Sequence, residues 1–319
     1  MIMTKILEKM SLLGLSLLLI SAFSISTALP PMLDYYSPTY NASQVELLVS
    51  VPSFSVVAML LLNPFVDKWL NDRQLIMTGL ILLSSAGIFP FFVQWYPLVL
   101  LSRLVFGMGI GFINAKAISI ISQRYQGKER IQMLGIRGSV ELIGGASCSL
   151  LVGQLLKIHW TLAFLIYGFG FIILAMYLLF VPPMEQIEKK EIQKSKQGLN
   201  KKDFAMILGM ALLSGFVICI NSSISLRVPL FQVDGKTIVG GESALVLSLE
   251  QGIGIAAGLS FASLLAHIKN RLLPMALLCL SICLFGIALA NNLLTLILSS
   301  VGVGFFYSII LTFIFHRLF

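Results

Sequence analysis

The chain has 319 residues, of which 57% are hydrophobic and only 11% are charged. A soluble domain carries about 25% charged residues, so this composition excludes a protein whose whole surface faces water. The net charge of +8 is compatible with a nucleic-acid partner or with unevenly charged membrane loops. The positions of the charges decide between the two.

Apolar runs recur along the whole chain, and each is long enough to cross about 30 Å of hydrocarbon. Lipid offers the backbone no hydrogen-bond partner, and the runs lack a two-residue alternation, so they predict helices. The first run follows Lys5 and Lys9 like a signal peptide but is longer than one, and we interpret it as an uncleaved first span. Ten spans are predicted, at residues 10–30, 45–62, 75–93, 98–122, 133–155, 161–181, 204–226, 243–266, 272–290 and 293–315.

The basic residues divide unequally between the two sides of the membrane. With the N-terminus inside, 17 of the 22 Lys and Arg residues fall on the cytoplasmic side and three fall outside, namely Lys157, Arg227 and Lys236. This asymmetry is the positive-inside pattern, so we expect a multi-pass protein of the cell membrane with both ends in the cytoplasm. The charge is thus explained by topology and the lipid bilayer, and nucleic-acid binding is not expected.

The spans group into two sets around one polar stretch. We predict an all-α fold with a six-helix bundle at residues 1–181, a charged cytoplasmic linker at 182–203 and a four-helix bundle at 204–319. Two helical bundles joined by a cytoplasmic linker are typical of secondary transporters. The cysteines and histidines form no cluster with carboxylates, so neither a metal nor another cofactor is expected, and no enzyme motif is present.

Two motifs carry a family resemblance. NPFVDKWLNDR, residues 63–73, resembles the loop signature G-x-x-x-D-R-x-G-R-R of the major facilitator superfamily, with Asp67 and Lys68 as its acid–base pair. Asn63 replaces the first Gly, Leu70 replaces the second, and Arg73 lies one place beyond the final basic position.

The second motif, RLVFGMGIG at residues 103–111, resembles the R-x-x-x-G-x-G pattern of helix 4 in this family. WTLAF, which opens the sixth span at residue 160, is also similar to it. The Gly-Pro pair that marks antiporters in helix 5 is absent, so antiport is not implied.

The resemblance implies that helices 1, 4, 7 and 10 line a central cavity, that Arg103 lies near the coupling site, and that Asp67 latches the two halves partly through helix 11. Members have twelve helices, so ten spans predict a chain that stops after helix 10. We therefore expect secondary transport of a small solute by alternating access, coupled to protons, with efflux of hydrophobic or drug-like compounds. The alternative is a truncated membrane protein without transport activity of its own.

Charges inside a span are costly, about 2.5–3.5 kcal/mol at the centre, and indicate function by default. Arg103, Gly107 and Asn114 fall on one stripe of helix 4, where the glycine allows close approach of a helix or a substrate. The alternative for Arg103 is a structural arginine bonded to backbone carbonyls.

Three more charges fall within predicted spans. Lys116 and Glu141 are at matched depth on adjacent helices and could form a buried pair or a proton relay, although Arg137 competes for Glu141. Glu250 is the only acid deep in the second half. It is either a proton-coupling group or a hydrogen-bonded group in a wet vestibule.

Overall fold

The protein is a bundle of long helices in the computed structural model, which describes residues 2–19, 21–182, 201–233, 236–237 and 240–318. Four short 3₁₀ segments, Ser21–Ala28, Trp160–Gly168, Val228–Leu230 and Lys269–Arg271, extend or join the helices. Two short strands, β1 (Gln232–Val233) and β2 (Lys236–Thr237), pair antiparallel. The α-helices are α1 (Ile2–Leu17), α2 (Leu29–Tyr36), α3 (Ala42–Val66), α4 (Asp72–Phe92), α5 (Tyr96–Arg124), α6 (Gly127–Leu155), α7 (Phe169–Phe180), α8 (Lys201–Arg227), α9 (Gly240–Ile268), α10 (Leu272–Ala288) and α11 (Leu293–Leu318).

Each predicted span overlaps a helix, and seven of the described helical segments are long and apolar enough to cross a membrane. Three predicted spans fall outside these seven for separate reasons. The first is broken into α1, a 3₁₀ segment and α2, the fifth carries several charges on α6, and α10 is only 17 residues long. The all-α, polytopic fold is confirmed.

Two asparagines fix the starts of neighbouring helices. Asn41 precedes α3 and exchanges two hydrogen bonds of 3.0 Å with Gln44, so that each side chain caps the backbone of the other. Asn71 precedes α4, and Gln74 accepts the Asn71 backbone N–H at 3.0 Å in the same way. This capping box satisfies amides that the first helical turn leaves unpaired, and it confines the α3–α4 loop to a few residues.

Ion pairs gather the ends of several helices on one face of the bundle. Lys9 on α1 pairs with Glu129 near the start of α6 at 2.7 Å, and Glu8 pairs with Arg124 at the end of α5. Burial, with the charge of Glu8 beside it, raises the pKa of Tyr125 to about 12. We call this the terminal face, because α11 also ends there, and we call the other the opposite face.

The described residues form two separate large apolar cores. One draws its buried members from residues 12–181 and the other from residues 217–314. Residues 183–200 lie outside the described part, so the predicted linker and the exact domain boundaries stay predictions.

Among the described residues, the two halves contact each other mainly through α6 and α9. Ser248 on α9 donates a hydrogen bond to the backbone oxygen of Ala146 on α6 at 3.0 Å. Nearer the terminal face, a methyl group added to Gly138 on α6 or to Gly258 on α9 would have no neighbouring atom within 4 Å. A side-chain contact thus joins α6 and α9 toward the opposite face, and open space adjoins Gly138 and Gly258 toward the terminal face.

Candidate functional site

Arg103 lies wholly inside the first half. Its side chain has no solvent exposure, and its Nε donates a hydrogen bond to the backbone oxygen of Leu48 on α3 at 3.1 Å. The guanidinium lies over three aromatic rings, 4.3 Å from the centroid of Phe106, 5.3 Å from Tyr167 and 5.7 Å from Phe164. These contacts come from α3, α5 and the sixth span, so in this conformation water in the central space does not reach Arg103.

The rest of the predicted stripe on α5 also faces α3. A methyl group on Gly107 would overlap the backbone oxygen of Pro52 and lie 2.7 Å from the Cβ of Ser55. Asn114 is half-buried further along the same helix. Gly107 is therefore a contact point between two helices rather than a point of approach for a solute.

Lys116 joins the two ends of the α3–α4 loop. Its Nζ lies 2.6 Å from Oδ1 of Asp67, which caps the end of α3, and 2.8 Å from Oδ1 of Asp72, the first residue of α4. The lysine side chain is 8% exposed, and the two carboxylates are about one-third exposed. Three helices of the first half are thus tied together at the terminal face.

The other motif residues surround this ion pair. Asn63 is buried one turn before Asp67, and its backbone oxygen accepts the Asp67 N–H at 2.9 Å. Lys68 is exposed, with its Nζ 5.6 Å from the ring centroid of Phe65. Arg73 is half-buried in the first turn of α4. The predicted latch between Asp67 and the second half stays a prediction, since its ionic partner among the described residues is Lys116.

The predicted pair between Lys116 and Glu141 is not formed. Glu141 instead pairs with Arg137, one turn away on α6, at 3.4 Å, which is the competition expected from the sequence. The depths do not match, because α6 begins at Gly127, six residues before the predicted start of that span. Glu141 therefore lies further from the terminal face than Lys116 does.

Glu250 lies where α6, α9 and α11 meet. Its side chain is 3% exposed, and Oε2 has no hydrogen-bond partner within the described chain. A methyl group on Gly304 of α11 would overlap the Glu250 backbone oxygen, so the two helices are in direct backbone contact here. This close contact leaves little room for water around the carboxylate.

One turn nearer the terminal face, the same three helices meet again. A methyl group on Gly254 would lie 2.7 Å from Oγ of Ser308 on α11 and 3.1 Å from Cδ1 of Leu142 on α6. The residues next to these contacts are Tyr307 and Glu141. We call Glu141, Glu250 and Tyr307 the three-helix junction.

Sequence reasoning selected the two acids of the junction but missed Tyr307. The only signal was the single tyrosine of α11, three residues after Gly304. Chemically, the junction offers two carboxyl groups that can hold a proton, on α6 and α9, and a phenol hydroxyl on α11. It also has an open side toward the terminal face.

A family model described as Major Facilitator Superfamily matches residues 12–318. No curated protein matches the chain closely enough to count as a relative. Among solved structures, a bacterial homologue of the human lysosomal transporter Spinster, inward-facing and unoccupied, is 18% identical with a TM-score of 0.74, over 97% of this chain and 74% of that one.

Two further solved structures are similar over most of their length. The xylose transporter XylE from E. coli, in a partially occluded inward-open conformation, is 12% identical with a TM-score of 0.77, over 98% of this chain and 86% of that one. A D-xylose–proton symporter is 13% identical with a TM-score of 0.71, over 94% and 79%. At these identities the likeness shows the fold.

Proposed function

Because the chain belongs to the Major Facilitator Superfamily, a family of transporters and not of enzymes, we propose that it is a proton-coupled secondary transporter. It moves a small solute across the cell membrane by alternating access, and Glu250 is the group that carries the coupling proton. Both chain ends lie in the cytoplasm in this proposal, so the terminal face is the cytoplasmic one.

The observation that carries the proposal is the buried carboxyl of Glu250, whose Oε2 has no hydrogen-bond partner among the described residues. A lone carboxylate in a medium of low dielectric constant is costly, and such a group usually neutralises by taking up a proton. When the surrounding helices separate and water enters, the charged form becomes stable again. A group whose burial changes with conformation therefore couples proton uptake to the movement of the two halves.

The arrangement of the halves supports alternating access. Contacts such as Ser248 with Ala146 close the opposite face, while open space adjoins Gly138 and Gly258 toward the terminal face. The neighbours of known structure include inward-facing and inward-open states, and one of them is a D-xylose–proton symporter. In this proposal, the open space beside Gly138 and Gly258 is the inward-open side of the molecule.

We further propose that the solute is hydrophobic or drug-like and that transport is efflux. The support is compositional: charges within the spans are few, and hydrophobic residues make up 57% of the chain. A cavity built from such helices offers apolar contact to the solute, with the junction carboxyls as its charged groups.

The test uses the full chain in vesicles that contain a pH-sensitive dye. Tetraphenylphosphonium, a hydrophobic cation, is the probe, and D-xylose is the comparison solute. We expect the cation to drive proton movement in the wild type and in the control Glu242→Gln, whose exposed side chain lies in the first turn of the same helix. In Glu250→Gln the flux should fall at least about tenfold.

Equal flux in Glu250→Gln would remove this residue from coupling. A response to D-xylose and not to the cation would replace the proposed substrate class. If neither solute moves protons, the alternative of a membrane protein without transport activity of its own is favoured.

A further inference from the structure

A groove lies between α8 and α10 in the second half. Both helices pack on α11, and they leave a space of about 450 Å³ between them. Its walls are mainly apolar side chains from the two helices, among them Phe216, Cys219, Ile220, Leu284 and Ile287. The Ser223 hydroxyl also lines the groove, but it already donates a hydrogen bond to the Cys219 backbone oxygen at 2.8 Å. An occupant therefore meets apolar contact along the groove.

The groove belongs to the outer, apolar surface of the second half. In the segment Met206–Leu230, which contains most of α8, only 6% of the most apolar window is buried, against 33% or more in the other candidate spans. Phe216 is 65% exposed, and Ile282 and Phe285 on α10 are exposed to a similar extent. Because a chain of this family spans a bilayer, acyl chains are the molecules that meet this surface.

The length of the groove matches one leaflet. Arg227 marks its end toward the opposite face, where α8 also ends. Phe216 lies eleven residues earlier on α8, which is about 16 Å at 1.5 Å rise per residue. The hydrocarbon core of a bilayer is about 30 Å thick, so the groove reaches from the headgroup level to about the bilayer centre. One acyl chain covers the same depth.

Arg227 supplies the charge at the headgroup end. Among the described residues that line the groove, it is the only charged one, and its side chain is 68% exposed. Its Nη1 donates to Oε1 of Glu46 at 3.3 Å. An exposed ion pair of this length is weak, and a guanidinium has five N–H donors in a fork that matches phosphate. Arg227 can therefore bind a phosphate beside Glu46 or in its place.

We propose that this groove binds a phospholipid with an anionic headgroup. One acyl chain lies between α8 and α10, and the phosphate pairs with Arg227. A zwitterionic lipid carries a cation next to its phosphate, and this cation is repelled by the guanidinium, so the anionic lipid binds more tightly. The site is separate from Glu250, and it does not depend on the proposed coupling role of that residue.

The experiment counts retained lipids by native mass spectrometry of the full chain in detergent. Phosphatidylglycerol and phosphatidylcholine with identical acyl chains are added in equal amounts. Arg227→Gln removes the charge, and Lys157→Gln is its control, since Lys157 is a basic residue of the same face that lies beside Gly241 and outside the groove. Cys219→Trp fills the groove. Its control is Ile218→Trp, at the neighbouring exposed position outside the lining.

We expect the wild type to retain one phosphatidylglycerol with about fivefold preference over phosphatidylcholine. Arg227→Gln should abolish the preference, and Cys219→Trp should lower the occupancy by both lipids, while both controls match the wild type. An unchanged preference in Arg227→Gln would overturn the headgroup site. Unchanged occupancy in Cys219→Trp would overturn the acyl-chain site. If the wild type retains no lipid and forms a dimer that Cys219→Trp dissociates, a second copy of the chain covers the groove and the proposal fails. Should Cys219→Trp not fold, the comparison of Arg227→Gln with Lys157→Gln decides.

Discussion

Arg103 is a charged residue stabilised by rings and a carbonyl rather than by an acid. Its guanidinium is 4.3 Å from the Phe106 centroid, and its Nε donates to the Leu48 oxygen. Cations over aromatic faces gain about 2 kcal/mol when desolvated, and a hydrogen bond from a charged group adds about 1.5–3 kcal/mol. These contacts join α3, α5 and the sixth span, so the arginine stabilises the first half directly.

We therefore predict that Arg103→Met lowers the stability of the first half by about 2–4 kcal/mol. The side chain keeps its volume but leaves the Leu48 oxygen without its donor. Removal of a membrane charge favours insertion, so the amount in the membrane should not fall. Thermal unfolding in detergent measures the effect, and Arg130→Met, at an exposed site near the start of α6, is the control. Unchanged unfolding together with lost flux would instead assign Arg103 to transport.

Lys116 illustrates a different use of charge at the residue scale. It lies between Asp67 and Asp72, whose carboxylates would otherwise repel each other across a short loop. The lysine side chain is only 8% exposed, and its two ion pairs at the bundle surface offset the cost of its desolvation. Its partners identify it as a structural tie of the α3–α4 loop.

At the element scale, glycine determines how closely the helices approach. Gly107 lies against Pro52, and Gly109 lies against the backbone of Leu83 on α4. Helices in lipid gain little from burying apolar surface, so close van der Waals contact at small residues is a main source of their association. α5 is thus packed on two sides by direct backbone contact.

We predict that Gly107→Ala destabilises the protein by about 1–3 kcal/mol, because its methyl group would force α3 away at Pro52. Gly215→Ala is the matched control, since Gly215 lies in the middle of α8 with nothing within 4 Å of the added atom. Gly215→Ala should leave the stability unchanged or raise it by up to about 1 kcal/mol, because Ala has a higher helix propensity than Gly. Thermal unfolding of the two variants in detergent separates them, and equal midpoints would show that the α3–α5 contact is loose.

The positions of the helices could be predicted because each span is encoded by neighbouring residues, as an apolar run of membrane length. Contacts between spans join residues that are far apart in the sequence, so they are not encoded in this way. The start of α6 was placed six residues late, since its first turn contains the charged residues Lys128 and Glu129, and this matched the depth of Glu141 to that of Lys116. Tyr307 could not be selected, because its place at the three-helix junction depends on how α6, α9 and α11 pack.

At the scale of the whole molecule, the contacts between the halves are concentrated on one side. Besides Ser248 and Ala146, an ion pair joins Glu46 at the start of α3 to Arg227 at the end of α8, at 3.3 Å. Exposed pairs of this kind contribute about 0–1 kcal/mol, so the pair orients the halves more than it holds them. For the opposite face to open, these contacts must break while new contacts form near Gly138 and Gly258 at the terminal face.

We predict that cysteines at Ala146 and Ser248 form a disulfide readily in a variant without the four native cysteines. Oγ of Ser248 lies 3.0 Å from the Ala146 backbone oxygen, so the two helices are in contact at this level, as a disulfide requires. Because the bond would lock the opposite face shut, it should abolish probe-driven proton flux, and a reducing agent should restore the flux.

The matched pair is Gly138→Cys with Gly258→Cys, on the same two helices toward the terminal face. Both positions adjoin open space, so this pair should not cross-link in the resting protein. In a molecule that alternates, it should cross-link slowly during turnover, at a rate that rises when the probe is added, because the terminal face then closes for part of each cycle. Rapid cross-linking of both pairs at rest would mean that the two halves are not open on one side. If the second pair does not cross-link under any condition, the two halves do not rock about the α6–α9 contact.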